Sequence, residues 1–569
     1  MVERVASPGA GPAAGDEVKP YKIHVSSRYL NLTRQKLELT RLPHEGAKPP
    51  SEEWWEPKPQ VEPLIDYWLE KYSWRTQEEA LNKIPQFRTA ITVPSSKTPL
   101  RLHFIHVVSP HSHALPLLLI PPFPFSNLAL THLIPLFTDP QDALSSQPFH
   151  LVIPALPGLG FSDAFPNNTP VISTTADMLN TLMSRLGYEH YLVTNSGAAH
   201  FSPAEIDWKL VQHLSTEYPS TCIGAHFVSP PLASPRLSEA PLEWAKWTIA
   251  NAFHAPILGY SEQDFSALKH ASAFFAKPRR KALKAATRFG LNQVGLREPN
   301  TLAYAMCDSP IGLLVFVMKG LRLLAPRIRP TPEQVITFTN LAWLPGPEYA
   351  MRFWAHCAKD DEPKRGKPKK AATRPHVGIT VFLGGDNGGK GGDNVVLEES
   401  EDAIQLDAPT KVENGTRYAC PSWANTRYSV LSSQRVPGEP GLLAWERPEV
   451  ILTGVQSLAR GIKKVDKRLQ PSSKPATSPL KEVVAPKETK PSDGGLKPPE
   501  RPALEQGDSS RTQVASEPPS SPKGKRAADA PVKDVESPVS KGDNNDVFGG
   551  GVTPDTVVLV SPPKDGAAK

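Results

Sequence analysis

Cysteine is scarce in this chain of 569 residues, which holds only Cys222, Cys307, Cys357 and Cys420. They are widely scattered, with no CxxC pair and no metal-ligand spacing, which argues against a disulfide framework or a zinc cluster and fits reduced thiols in a cytoplasmic protein. Long apolar runs are missing too. The longest in a helical context, residues 311–318, is cut by Lys319 and is far too short to cross a bilayer. The first residues contain no apolar stretch of signal-peptide length, so neither a transmembrane segment nor a secretory signal is expected. Charge of one sign is weak as well: a net +6 on this length gives no reason to expect a nucleic-acid partner. The basic runs 364–370 and 523–526 lie among Pro and Lys and read as solvated loop and tail. No histidine follows His376, and the only aromatic residue beyond Trp445 is Phe548. From about Pro471 onward Pro, Ser, Lys and Gly dominate. Such a tail buries too little apolar surface to offset its ordering entropy, and residues 466–569 are expected to be disordered.

What is present is a long run of alternating strand and helix patterns. Residues 22–39 begin strand-like and pass into a short amphipathic helix that ends before Pro43. A second helix fits 61–72, with Leu64, Trp68 and Tyr72 four apart on one face. Strand patterns follow at 102–107, at 115–120 and from Phe149, the last running into the Gly/Pro turn Pro154-Ala-Leu-Pro-Gly-Leu-Gly-Phe-Ser. A helix is expected over 174–186 and a strand from Tyr191, ending in the small residues Gly197, Ala198 and Ala199. Strand and helix patterns return at 377–383, 428–431 and 447–458. This alternation predicts an α/β fold with a mostly parallel sheet covered by helices on both faces. The Gly-rich stretch 384–392 has neither the Lys-Ser/Thr nor the following helix of a phosphate loop and reads as an inserted surface loop. No cofactor or metal is expected.

Specific motifs narrow this reading. Tyr72-Ser-Trp-Arg-Thr-Gln-Glu78 and Asn82-Lys-Ile-Pro-Gln-Phe87, the Pro-Gly-X-Gly-Phe-Ser turn, and Glu298-Pro-Asn-Thr-Leu-Ala-Tyr304 together resemble the microsomal-type epoxide hydrolases, and the likeness covers about 20–460. The resemblance implies an α/β-hydrolase fold with a helical lid and an N-terminal segment that wraps the core. The domains expected are a flexible leader 1–18, an epoxide hydrolase N-terminal-like domain 19–98, a core in two parts, 99–229 and 359–465, and a lid 230–358 between them.

Members of that family open an epoxide with an Asp carboxylate at a strand-to-helix elbow while lid Tyr hydroxyls protonate the departing oxygen. A His oriented by an acid then activates water to cleave the ester. Matched residue by residue, the nucleophile position falls on Gly197, the first lid Tyr at or beside Leu291, the second near Phe353 or Trp354, and the His on Gly441. The oxyanion-hole loop corresponds to Pro122, Phe123 and Pro124, where two prolines lack an N–H. Candidate replacements are Ser196, which lacks the flanking glycines of a serine-hydrolase elbow, Tyr349, and Asp386 as a loose counterpart of the orienting acid. A fourth is Asp207, whose Asp207-Trp208 pair echoes the family's Asp-Trp. Ser202, Pro203 and Glu205 read as a capping box that would start a helix and set Asp207 inside it. Two functions follow: a pseudoenzyme that binds a small apolar ligand or a partner, or a divergent hydrolase of epoxides or esters that uses displaced residues such as Asp207.

Overall fold

The protein is described by a computed structural model covering residues 17–44, 55, 57–142, 146–166, 169–199, 202–276, 298–324, 328–359, 374–384, 404 and 418–469. Most of the expected leader, the tail beyond 469, most of the Gly-rich insert, Leu291 and Asp386 lie outside the described residues.

The N-terminal part contains β1 (Lys19–Pro20), α1 (Ser27–Glu38), α2 (Lys58–Glu70), α3 (Trp74–Leu81) and β2 (Gln86–Ile91). Its sequence signatures act as clamps. Glu78, 7% exposed, accepts from the Val25 N–H at 2.8 Å, from Trp74 Nε1 at 3.0 Å and from Arg75 at 2.7 Å. Burial works to raise its carboxyl, but these bonds outweigh it and hold the group below the ordinary carboxylate range. Asn82 behaves as a strand partner for Ile23, accepting from its N–H at 2.7 Å and donating to its C=O at 2.9 Å. Gln86 links the Leu81 carbonyl to His103. The motifs around Trp74 and Asn82 therefore lash the extended segment 23–25 to α3.

The core follows as β3 (Leu100–Val107), β4 (Leu115–Ile120), α4 (Leu133–Thr138), β5 (Phe149–Pro154), α5 (Val171–Arg185), β6 (Tyr191–Asn195), α6 (Ile206–Glu217) and β7 (Cys222–Val228). Among the described residues, six helices follow β7: α7 (Pro241–Phe253), α8 (Glu262–Ala276), α9 (Pro299–Asp308), α10 (Pro310–Leu324), α11 (Pro332–Trp343) and α12 (Glu348–Lys359). The chain then re-enters the core through β8 (His376–Phe382), β9 (Ser429–Val436), α13 (Leu443–Glu446) and α14 (Pro448–Val465).

The strands form one sheet of order β1-β2-β3-β5-β4-β6-β7-β8-β9, with parallel pairing from β5 through β9 and antiparallel pairing on the N-terminal side. Strands β4, β6 and β7 are nearly all buried, as expected of apolar runs covered on both faces. One apolar cluster holds Phe137, Phe149, Leu192, Val455, Leu458 and Ile462, and the other holds Phe104, Val193, Leu179, Leu210 and Phe227. This is the α/β-hydrolase fold with a helical insertion. The N-terminal helices brace that insertion: Trp343 Nε1 donates to Thr33 Oγ1 at 2.8 Å, Tyr72 bonds Thr337 at 3.1 Å, and Lys36 pairs with Asp308.

Within the sheet a neutral polar string crosses four strands. His226 contacts Thr194 at 2.9 Å and Thr380 at 2.8 Å, and Thr380 donates to Gln434 at 3.3 Å. Full burial drives the His226 imidazole down to about 3, so it stays uncharged. Gly454 of α14 lies directly against it: a Cβ there would stand 2.2 Å from His226 Nε2. Elsewhere Asp264 of α8, fully buried, takes a paired contact from Arg435 of β9 at 2.7 and 2.8 Å and a hydrogen bond from Tyr418. This ion pair joins the helical insertion to the last strand. No single helix among the described residues is long and apolar enough to cross a membrane; α9 and α10 pass such a test only as a pair bent by 113°.

Candidate functional site

The site is built where β4 and β6 end side by side and the helical insertion closes over them. An elbow would require α6 to start at the strand's end. Instead, β6 stops at Asn195 and α6 starts at Ile206, leaving a connection of ten residues, 196–205. Gly197 is not in the left-handed region. The left-handed residues are Ala204 and Glu205, at φ of 56° and 55°, immediately before α6. They overturn the expected capping box, because Ser202 makes no capping bond and residues 203–205 form a short 3-10 turn. The helix thus begins later than its local signal, with Asp207 in its first turn.

Asn195 fastens the strand end. Its amide donates to the Gly197 carbonyl at 2.6 Å and accepts from the Val228 N–H at 3.0 Å. Ser196 is fully buried and its hydroxyl donates to the Ile120 carbonyl at 2.7 Å, so it ties β6 to β4 rather than facing a base.

Asp207 is the unusual group. It is fully buried, and neither carboxylate oxygen has a hydrogen-bond partner of proper geometry. Burial pushes its carboxyl up to about 7, while the nearby Ser202 hydroxyl and the N–H groups of Asp207 and Trp208 offset part of the rise and Glu205 adds to it. A Cβ placed on Gly197 would lie 3.7 Å from Asp207 Oδ2 and 3.2 Å from the Pro122 Cβ. Asp207 therefore lies beside Gly197, and Pro122 stands close to the same residue.

A parallel arrangement holds at Gly441, which has a φ of 62°. A side chain there would meet Glu446, whose Oε2 lies 2.3 Å from the Cβ position. Glu446 is 4% exposed and accepts from the Leu442 N–H at 3.3 Å. Both matched positions are glycine, and each is backed by a buried carboxylate from the helix that follows.

The loop after β4 is built of aromatic packing. Pro122 and Pro124 have no N–H, and the Phe125 N–H donates internally to the Pro122 carbonyl at 2.9 Å. Phe123 stacks on Phe353 with centroids 6.0 Å apart, and Phe125 packs on Trp445 at 4.9 Å. Above this loop, beneath the insertion, lies a cavity of about 100 Å³ lined by Phe123, Phe125, Phe316, Phe338, Met351 and Trp354 among others. None of its lining residues is charged, and Asp207 is not among them. Tyr349 is not among them either. It is 41% exposed on an outer groove with Arg88 and Asp163, and Arg352 lies over its ring at 5.6 Å.

Comparison with known proteins bears on this arrangement. A family model for the epoxide hydrolase N terminus matches residues 18–130. The chain is 29% identical over 309 residues to a Stigmatella aurantiaca protein provisionally named an epoxide hydrolase, covering 53% of this chain and 59% of that one. It is 26% identical over 339 residues to juvenile hormone epoxide hydrolase 2 of Ctenocephalides felis, with 57% and 61% covered, and 27% identical over 329 residues to epoxide hydrolase 1 of Sus scrofa, with 55% and 64% covered. The chain thus spans less than two thirds of the length of these relatives. Its fold matches the crystal structure of the Bombyx mori juvenile hormone epoxide hydrolase at a TM-score of 0.57 and 21% identity, covering 79% of this chain and 95% of that one. The Aspergillus niger epoxide hydrolase gives 0.52 at 18% identity, with 79% and 97% covered. The chain thus carries an N-terminal region that matches the epoxide hydrolase N terminus, on an α/β-hydrolase fold, and is similar to epoxide hydrolases over much of its length.

Proposed function

We propose that this chain is a binding protein built on the epoxide-hydrolase fold, a pseudoenzyme that keeps the covered apolar cavity and has lost the covalent hydrolysis. One observation carries the reading: the positions matched to nucleophile and base are Gly197 and Gly441, where a Cβ would press on Pro122 at 3.2 Å and overlap Glu446 at 2.3 Å. Ester formation and ester cleavage both need groups there, and an epoxide oxygen leaves poorly unless a phenol protonates it. The cavity residues supply no phenol, carboxyl or imidazole. A small apolar ligand suits the lining, and no cofactor enters the scheme. The division into wrapping segment, two-part core and lid belongs to this proposal, as does a cytoplasmic site, which the free cysteines favour.

The second reading, a divergent hydrolase of epoxides or esters, is favoured by Asp207 alone, because its carboxylate is unpartnered and near the matched nucleophile position. It requires that carboxylate to reach a cavity it does not line. The test is to incubate the full chain with a panel of epoxides, including the juvenile hormone that some relatives are named for, and with activated esters, beside the Asp207→Ala/Ser196→Ala double variant. No turnover by either protein is expected. Turnover that the double variant abolishes would end the binding-protein reading.

A further inference from the structure

The cavity beneath α10, α11 and α12 has almost no polar chemistry of its own. Among its lining side chains only Ser126 and Trp354 carry a hydrogen-bonding group of nitrogen or oxygen. Ser126 is already engaged: its hydroxyl donates to Asn127 Oδ1 at 3.1 Å and accepts from the Leu128 N–H at 3.3 Å. Trp354 is different. It is 4% exposed, and its indole N–H is buried with no partner. A donor shut away from water with no acceptor is destabilising, and native structures tolerate few of them without a reason. One such reason is a ligand that supplies the acceptor.

Trp354 also stands in the stretch matched to the second lid phenol, on α12 beside Met351 and Ala350, which line the same cavity. An indole N–H resembles a phenol as a hydrogen-bond donor but cannot serve as an acid at neutral pH. At this place it would hold an oxygen without protonating it.

We propose that the cavity takes a neutral apolar molecule bearing one hydrogen-bond acceptor, of the ether, ketone or ester class, and that the Trp354 indole N–H is the group that orients it. This rests on the ligand-binding reading above and adds its polar anchor. Charged ligands are disfavoured because no lining residue is charged, and a carboxylate or ammonium would be buried without compensation.

The test uses the full chain with its 11 tryptophans labelled with nitrogen-15 in the indole ring, titrated with cyclohexanone and, separately, with its hydrocarbon counterpart methylenecyclohexane. One indole resonance, identified by its absence in Trp354→Phe, is expected to shift with the ketone and far less with the hydrocarbon. Trp354→Phe keeps an aromatic ring in the cavity and is expected to weaken ketone binding about three- to tenfold more than it weakens hydrocarbon binding. If ketone and hydrocarbon bind alike and the Trp354 resonance does not respond selectively, the anchor is wrong while the apolar cavity stands. If neither binds the folded wild-type chain, both the anchor and the ligand-binding reading fail.

Discussion

Replacing Asp207 by asparagine keeps the outline of the side chain and removes its ionisation. The wild-type carboxyl is raised from 3.8 to about 7 by complete burial. A folded protein that holds its proton to higher pH than the unfolded chain loses stability as pH climbs between the two values. The favourable contribution is complete below about 4, shrinks as pH rises, and is gone above about 7. Three pH units at ~1.4 kcal/mol each make the span roughly 4 kcal/mol, a large share of the ~5–15 kcal/mol that holds a typical domain folded. The asparagine amide gains no partner either, so part of the benefit at high pH is offset by roughly 1–3 kcal/mol. The slope is therefore the criterion. Urea unfolding from pH 4 to pH 8 is expected to show the wild type losing stability more steeply than Asp207→Asn, with the difference concentrated between pH 4 and 7. Parallel profiles would refute the reasoning, because they would mean that the carboxylate is solvated or paired in solution.

Gly454→Ala is expected to cost ~1–3 kcal/mol of stability and so lower the unfolding midpoint, since the new methyl would overlap His226 and Thr380 and break the polar string across the sheet. Thermal unfolding of the purified variant reads this out. Arg435→Met leaves Asp264 buried without its cation and is expected to cost ~3–5 kcal/mol by denaturant unfolding, whereas Arg435→Met combined with Asp264→Leu recovers much of that loss.

The sheet was legible where apolar runs were long enough to stand out. Residues 115–120 and the strand from Tyr191 occupy the positions their patterns predict. Helix α3 was readable only as a motif. Its buried face is Trp74, Glu78 and Leu81, too short and too polar a stretch to stand out as an apolar pattern, and it is held by the bonds around Glu78. The capping signal from Ser202 to Glu205 was locally strong and tertiary structure overrode it, turning Ala204 and Glu205 left-handed. At the site, sequence matching could find the glycines at 197 and 441 but not what fills the space beside them. That depends on Pro122, Asp207 and Glu446 meeting in three dimensions. The Asp264–Arg435 pair was invisible for the same reason, since 171 positions separate its halves. Trp354 could be placed near a lid position, while the unpaired state of its N–H is a property of packing alone.

The ten-residue link between β6 and α6 also governs what a substitution at Gly197 can do. In a tight corner the backbone itself aims the side chain at its end, so one residue change is enough to present a new group. Here ten residues separate the strand from helix α6, and Gly197 stands between Pro122 and Asp207. A side chain added at 197 would therefore meet Pro122 without the aim a sharp corner gives, and the nearest carboxylate to that place would still be the one on the helix that follows.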